Sequence, residues 1–432
     1  MSQEKLENQK GPTGGMFAWV IWAVTSLFYL YEYFLRVAPS VMVHPIMLHF
    51  DITAASLGAL AACYYLAYSP MQIVVGILLD RFGGRKVLPL ALAFAAFGSF
   101  LFGSTSDFWV AAMGRTFMGM GSAFAFVGAL YVATNWFPEK NFAMLSGITT
   151  MLGMVGAFAG QGPTAYIVKH TGWQVTWVGA AIAGGVLSIL LLILVPNRPK
   201  WVHKVKKPHK GSNSTPPIFT NMGRVLKNPQ TWIIGLYGGL IYVPTSTFAA
   251  LWGVPFLEAA YQLSKITAAT AVSMIFLGWT VGAPLAGWWS DKVKRRKPVM
   301  LLGSLGVLIL ATLLIYVPGL PLGLVFSILF FIGVFSGGQV VCFATAYEAN
   351  PRNAKGSSLA ITNMLVMITG AILQPAVGWL LDLRYQPKKI VGTLHFTASD
   401  FHFALMVVPI TLTLALFFAL LIRETHGKPP KV

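Results

Sequence analysis

Charge is scarce in this chain. Only 10% of its 432 residues are Asp, Glu, Lys or Arg, and the acidic ones number 13, where a soluble domain is about 25% charged. So little charge excludes a soluble protein of this length. The complement, 56% hydrophobic residues with a mean hydropathy of +0.68, is what a chain needs when lipid is its solvent. Cysteine is scarcer still. Cys63 and Cys342 both fall in apolar runs, which excludes a disulfide framework and says nothing of a redox compartment. No glycine-rich phosphate loop is present, so nucleotide hydrolysis has no warrant. His44 and His49 lack metal-ligand spacing, and no cofactor is implied. The first 16 residues are polar without a cleavable signal pattern, and the apolar run after them is too long for a signal core, so it is expected to be retained. The chain reads as a polytopic membrane protein.

Apolar runs of roughly 20 residues, the length that crosses a bilayer, are what it has in abundance. Twelve are read, at 17–42, 55–79, 87–104, 108–132, 142–168, 174–195, 231–257, 267–289, 298–317, 321–347, 355–381 and 401–422. An even number places both ends on one side. That side holds 24 of the 31 Lys and Arg residues and the opposite loops five; Arg36 and Arg115 lie within runs. Basic loops stay in the cytoplasm, so both termini are expected there, in the bacterial inner (plasma) membrane. The net charge of +18 is then topology and contact with anionic membrane lipids; nucleic acid is not an expected partner.

Residues 196–229, rich in Pro, Lys and Ser, form the one long polar stretch. It separates a six-run bundle at 17–195 from another at 230–422, with cytoplasmic tails at 1–16 and 423–432. The halves resemble each other. GILLDRFGGRK (76–86) recurs as GWWSDKVKRRK (287–297), and WFPEKNFAMLSGITTM (136–151) lines up with ANPRNAKGSSLAITNM (349–364). Matching loops about 210 residues apart indicate an internal duplication, and many transporters hold their substrate between such repeats.

GILLDRFGGRK fits throughout, at Gly76, Asp80, Arg81, Gly83, Arg85 and Lys86, the signature loop of the major facilitator superfamily, which the chain resembles from about 17 to 422. GRTFMGMG, with Arg115, Gly119 and Gly121, resembles that family's fourth-span pattern. The resemblance implies two six-helix bundles that rock about a central cavity, with the loop cluster and Asp291 of its second copy latching one conformation. Gly76 is expected to allow close helix approach. In the second copy Lys294 replaces the turn glycine, which puts the latch there in doubt. Span five, GITTMLGMVGAFAGQGP, resembles the family's antiporter pattern at Gly147, Gly156 and Gly160, but Gln161 interrupts the expected Gly-Pro; such glycines are more often packing contacts.

The first run carries two charges, Glu32 and Arg36, one turn apart on one helix face with Tyr29 and Tyr33. Ionisable groups this deep cost at least ~2.5–3.5 kcal/mol each and therefore face a protein interior or a cavity. A mutually satisfied pair that locks the helix is the plain alternative to a substrate site. Tyr29, Tyr33 and Arg36 resemble the organophosphate antiporters' first helix, where an Arg meets the substrate phosphate. That branch has a second Arg in span seven, where this chain has Thr247. The fourth-span Arg of organic-anion symporters matches Arg115, but their acidic residue seven positions on is Ser122 here. One cation suits a carboxylate through a bidentate fork better than a phosphate dianion. Arg115 can contact substrate, pair with Glu32, or pack against carbonyls. The second half offers neutral groups: Tyr242 near Pro244, and Asn363 and Gln374 on one face of span eleven.

These readings converge on an all-α polytopic membrane protein, twelve transmembrane helices in two six-helix bundles, acting as a monomer. It is expected to move a small carboxylate-bearing or zwitterionic solute, such as an amino acid, short peptide or organic acid, inward with protons carried by Glu32. Efflux of a drug or siderophore and exchange of organic anions or phosphate esters are the alternatives within transport. A sensor that binds solute and signals through 196–229 is the alternative outside it. No convergent catalytic set supports an enzyme.

Overall fold

The computed structural model describes residues 14–196, 218–351, 354–384 and 396–426. Most of the expected linker, at 197–217, lies outside these residues, as do tail residues 1–13 and 427–432. In lipid every backbone N–H and C=O must be satisfied within the chain, and the described residues contain helix and no strand. The first half runs α1 (Met16–Val37), α2 (Val43–Phe50), α3 (Ala54–Phe82), α4 (Gly84–Ser104), α5 (Phe108–Ser122), α6 (Phe124–Trp136), α7 (Phe142–Ala159), α8 (Gly162–Thr171) and α9 (Trp173–Leu194). The second runs α10 (Ile218–Lys227), α11 (Pro229–Ile241), α12 (Gly253–Tyr261), α13 (Lys265–Val293), α14 (Lys297–Tyr316), α15 (Leu322–Ser336), α16 (Val340–Ala349), α17 (Lys355–Arg384), α18 (Ala398–Ala404) and α19 (Val407–Leu421).

Eleven helical stretches among the described residues are long and apolar enough to cross a membrane, and each falls on a run read from the sequence. The remaining run, 142–168, is helical but broken. Pro163 has no N–H for the carbonyl of Ala159, which accepts Thr164 Oγ1 instead at 2.7 Å. Pro244 opens a second irregularity: Pro244–Trp252 is a π-helix between α11 and α12, and all nine of its residues are buried. Wide helical turns of this kind are often found at functional sites.

Within the first half α1 packs on α7, and α4 on α5 and α9; within the second, α11 packs on α17 and α19, and α13 on α15. The halves meet along two seams, α3 with α17 and α13 with α7 and α8. The first seam needs glycine. A Cβ on Gly378 would lie 2.2 Å from the Ala54 carbonyl oxygen, and one on Gly58 2.5 Å from that of Gln374. At its end the Asp382 carboxylate accepts the N–H groups of Ala54 (3.0 Å) and Ala55 (2.8 Å). The second half thus caps the positive end of a first-half helix.

Candidate functional site

Glu32 and Arg36 are 0% and 3% exposed, and burying two charges is tolerable only with specific partners. Arg36 Nη2 donates to Glu32 Oε1, and the same oxygen accepts the Tyr64 hydroxyl from α3 at 2.7 Å. Arg36 Nη1 reaches into the other half and donates to the Tyr242 hydroxyl at 3.3 Å. The guanidinium centre lies 4.5 Å from the ring centre of Tyr33, 5.0 Å from Tyr68 and 5.8 Å from Tyr64, a cation–π cage. Tyr29 meets this cage edge-on through Tyr33, at 5.1 Å between rings.

Arg115, also buried, donates from Nη1 to the Leu35 carbonyl at 3.0 Å. Pro39, four residues after Leu35, has no N–H to occupy that carbonyl. Gly119, one turn beyond Arg115, lets α5 touch the backbone of α3: a Cβ there would lie 2.1 Å from the Tyr64 carbonyl oxygen. This contact seats the Tyr64 ring 5.0 Å from the Arg115 guanidinium. The pairing of Arg115 with Glu32 is therefore not made; Tyr64 stands between them. Three charged atoms of the cluster, Glu32 Oε2, Arg36 Nε and Arg115 Nε, are buried without a partner.

Two of the neutral candidates part company. Gln374 Nε2 donates to the Ser246 carbonyl at 2.7 Å, one turn beyond Tyr242. Asn363 precedes Gln374 by eleven residues of α17, about 16 Å along the axis, and is only half-buried; the structure does not bring it to the cluster. Sequence reasoning missed Tyr64, Tyr65 and Tyr68. The signal was CYYLAYS, three tyrosines in an apolar helix. It also read Gln161 only as an interruption. The Gln161 amide, fully buried, crosses to the second half and donates to the Ala249 carbonyl at 2.7 Å.

The loop clusters depart from expectation. Gly83 takes φ +78° at the turn between α3 and α4, as its place in the motif requires. A side chain on Gly76 would meet nothing within 4 Å, so that glycine makes no close approach. Asp80, Arg81, Arg85 and Lys86 are exposed and take no part in the three ion pairs among the described residues. The second copy is the paired one. Arg296 bonds Asp291 at 2.5 Å and Glu348 at 2.6 Å, which ties the loop to its own half, and Lys294 adopts the left-handed turn at φ +54°. Of the span-five glycines, Gly156 is a packing contact, since a Cβ there would lie 2.0 Å from the Leu30 carbonyl oxygen.

Comparison with known proteins gives this geometry a family. The model of the Major Facilitator Superfamily matches residues 21–373. The membrane sensor protein UhpC of Salmonella typhimurium is 26% identical over 431 residues, covering 94% of this chain and 92% of that protein. The phosphoglycerate transporter protein of the same organism is 24% identical, covering 75% of this chain and 74% of its own. The crystal structure of a bacterial homolog to the human lysosomal transporter Spinster, inward-facing and occupied, superposes with a TM-score of 0.74 at 16% identity, covering 94% of this chain and 97% of that one. The chain belongs to the Major Facilitator Superfamily, with the architecture of a multi-pass secondary transporter of the plasma membrane.

Proposed function

We propose that the chain crosses the membrane twelve times, in units 17–195 and 230–422 with both ends cytoplasmic, and moves a small carboxylate-bearing solute by alternating access together with protons. One observation carries this reading. Arg36 bridges the halves through Glu32 and Tyr242 while its Nε stays buried and unpartnered. Guanidinium offers five N–H donors, and a carboxylate laid along its free edge completes a fork. A phosphate dianion would want a second cation, and Thr247 stands where the repeat would place one. The relatives' names favour organic anions over amino acids and peptides.

Glu32 is the proton site in this reading. Its Oε2 has no partner, and a proton there relieves repulsion when a solute carboxylate competes for Arg36. Solute and proton then bind together; one proton carried with one carboxylate moves no net charge, so the pH gradient, worth about 1.4 kcal/mol per unit, drives accumulation. Reconstituted vesicles with an imposed pH gradient provide the test. Wild type should accumulate a labelled carboxylate; Glu32→Gln should keep exchange between equal pools and lose uphill accumulation. Accumulation by the Gln variant would place the proton elsewhere. A second reading, a solute sensor, draws on the name of UhpC, which matches nearly the whole chain. It predicts binding with no flux in the same vesicles.

A further inference from the structure

We propose that Gln161, Gln374, Ser246 and Thr247 form a hydroxyl-recognition subsite on the π-helix facing Arg36, so that the solute is a polyhydroxylated monocarboxylate. The inference rests on the reading of Arg36 as a carboxylate anchor and extends it. The two glutamines come from opposite halves, Gln161 from the break between α7 and α8 and Gln374 from α17. Both place their nitrogen on the same nine-residue segment: Gln374 Nε2 on the Ser246 carbonyl and Gln161 Nε2 on the Ala249 carbonyl, each at 2.7 Å. A backbone carbonyl only accepts, so the amide nitrogens must face it and both Oε1 atoms are left over. Both are buried without a partner, as are the Ser246 and Thr247 hydroxyls. All four side chains are at most 1% exposed.

Both glutamines are thus seated, and two hydroxyls left unfilled, within residues 246–249 of a single helix, and Ser246 is one turn, roughly 6 Å, beyond Tyr242, which Arg36 contacts. Their chemistry is selective. Leftover amide oxygens take protons, and neither a second carboxylate nor a fully ionised phosphate has one to give. An ammonium group would add a third cation to a centre that already holds two, Arg36 and Arg115, with one carboxylate, Glu32. A hydroxyl fits: it donates to Gln Oε1 and accepts from Ser246 or Thr247. A site built to hydrogen-bond hydroxyls rejects analogues lacking them, because its own polar groups are then stranded.

The test is a binding competition on the purified full chain in nanodiscs, with a six-carbon aldonate, hexanoate, a hexitol and a hexose 6-phosphate. The aldonate should bind at least about tenfold tighter than hexanoate. Gln161→Met and Gln374→Met should each weaken the aldonate roughly three- to tenfold and leave hexanoate unchanged. Should either variant fail to fold, Ser246→Ala and Thr247→Val, which each remove one hydroxyl, carry the same expectation. Equal affinity for aldonate and hexanoate, or equal weakening of both by the variants, overturns the subsite and leaves the glutamines as backbone clamps. Preference for the phosphate overturns the monocarboxylate assignment. If no carboxylate binds but the hexitol does, and the Gln variants abolish it, the subsite stands and the Arg36 reading falls.

Discussion

In the Glu32–Arg36 cluster one carboxylate oxygen and the Nε atoms of Arg36 and Arg115 find no partner. The Arg296 cluster, where α13, α14, α16 and the chain after α19 meet, has no such vacancies. Arg296 Nε and Nη2 bond the two oxygens of Glu348 at 3.2 and 2.6 Å, and Nη1 bonds Asp291 and Ser290 at 2.5 and 2.8 Å. Thr425 donates to Glu348, and the Glu424 carboxylate accepts the N–H groups of Arg296 (2.7 Å) and Lys297 (3.1 Å). Both clusters are arginine–glutamate pairs fixed by neighbours. A cluster that holds structure uses its donors and acceptors, because each one left over destabilises the fold. One that leaves them over has capacity for a ligand.

The comparison breaks most visibly at Arg296. Arg296→Met leaves Glu348 nearly buried and without its cation, and removal of one partner from a buried pair costs ~3–5 kcal/mol. Asp291 is largely exposed, so its loss adds little. Thermal unfolding in detergent should drop by a corresponding amount while solute affinity, measured on the folded fraction, holds. A fall in affinity at unchanged stability would reverse the roles assigned to the two clusters.

Arg36→Lys is the mirror experiment. It keeps the charge and loses the fork, so carboxylate affinity should fall by ~1–3 kcal/mol, the range of a hydrogen bond to a charged group, with little change in unfolding temperature. Unchanged affinity together with a lowered unfolding temperature would mean that the pair only locks α1.

The contrast was half legible in the sequence. Glu32 and Arg36 stand out because a charge amid apolar residues needs no partner to be noticed. Of what completes them, Tyr242 was named from the sequence for its place beside Pro244, though not its contact with Arg36; Tyr64 of α3 depends on a helix contact set by Gly119, which no spacing along the chain encodes. The helices themselves were legible because bilayer thickness sets their length. The break at Gln161 was not, since the gap between glycine and proline reads as a defect until Ala249 is known to face it. The Arg296 network escaped for a related reason. Asp291 and Arg296 are near in sequence, but Glu348 and Glu424 arrive from 52 and 128 residues away.

The turn that presents Arg296 sharpens the comparison with its first-half copy. Gly83 and Lys294 occupy equivalent positions with positive φ, a conformation that costs a residue with a Cβ ~1–2 kcal/mol. Lys294→Gly removes that strain and adds ~0.5–1 kcal/mol of backbone entropy loss. The net gain should be about 0.5–1 kcal/mol, seen as a rise in unfolding temperature of about 1–2 °C. A fall would show that the Lys294 side chain contributes more than its backbone strain costs.

The smallest expected effect lies at the edge of the satisfied cluster. Burial alone would raise the Glu424 carboxyl, but the backbone N–H groups of Arg296 and Lys297 outweigh it and hold it below the usual carboxylate range. A carboxyl whose folded value is depressed contributes stability that is full above its unfolded value, near ~4.3, and is lost as pH falls through the folded one. Glu424 is half-buried and sits at the start of α14, where a negative charge is worth ~0.3–1 kcal/mol. Glu424→Gln should therefore lower the unfolding temperature slightly at pH 7, and the gap between variant and wild type should close as the pH is taken below about 4. A gap at Glu424 that persists undiminished at low pH would mean that the second oxygen, not the charge, holds the end of the chain to α14.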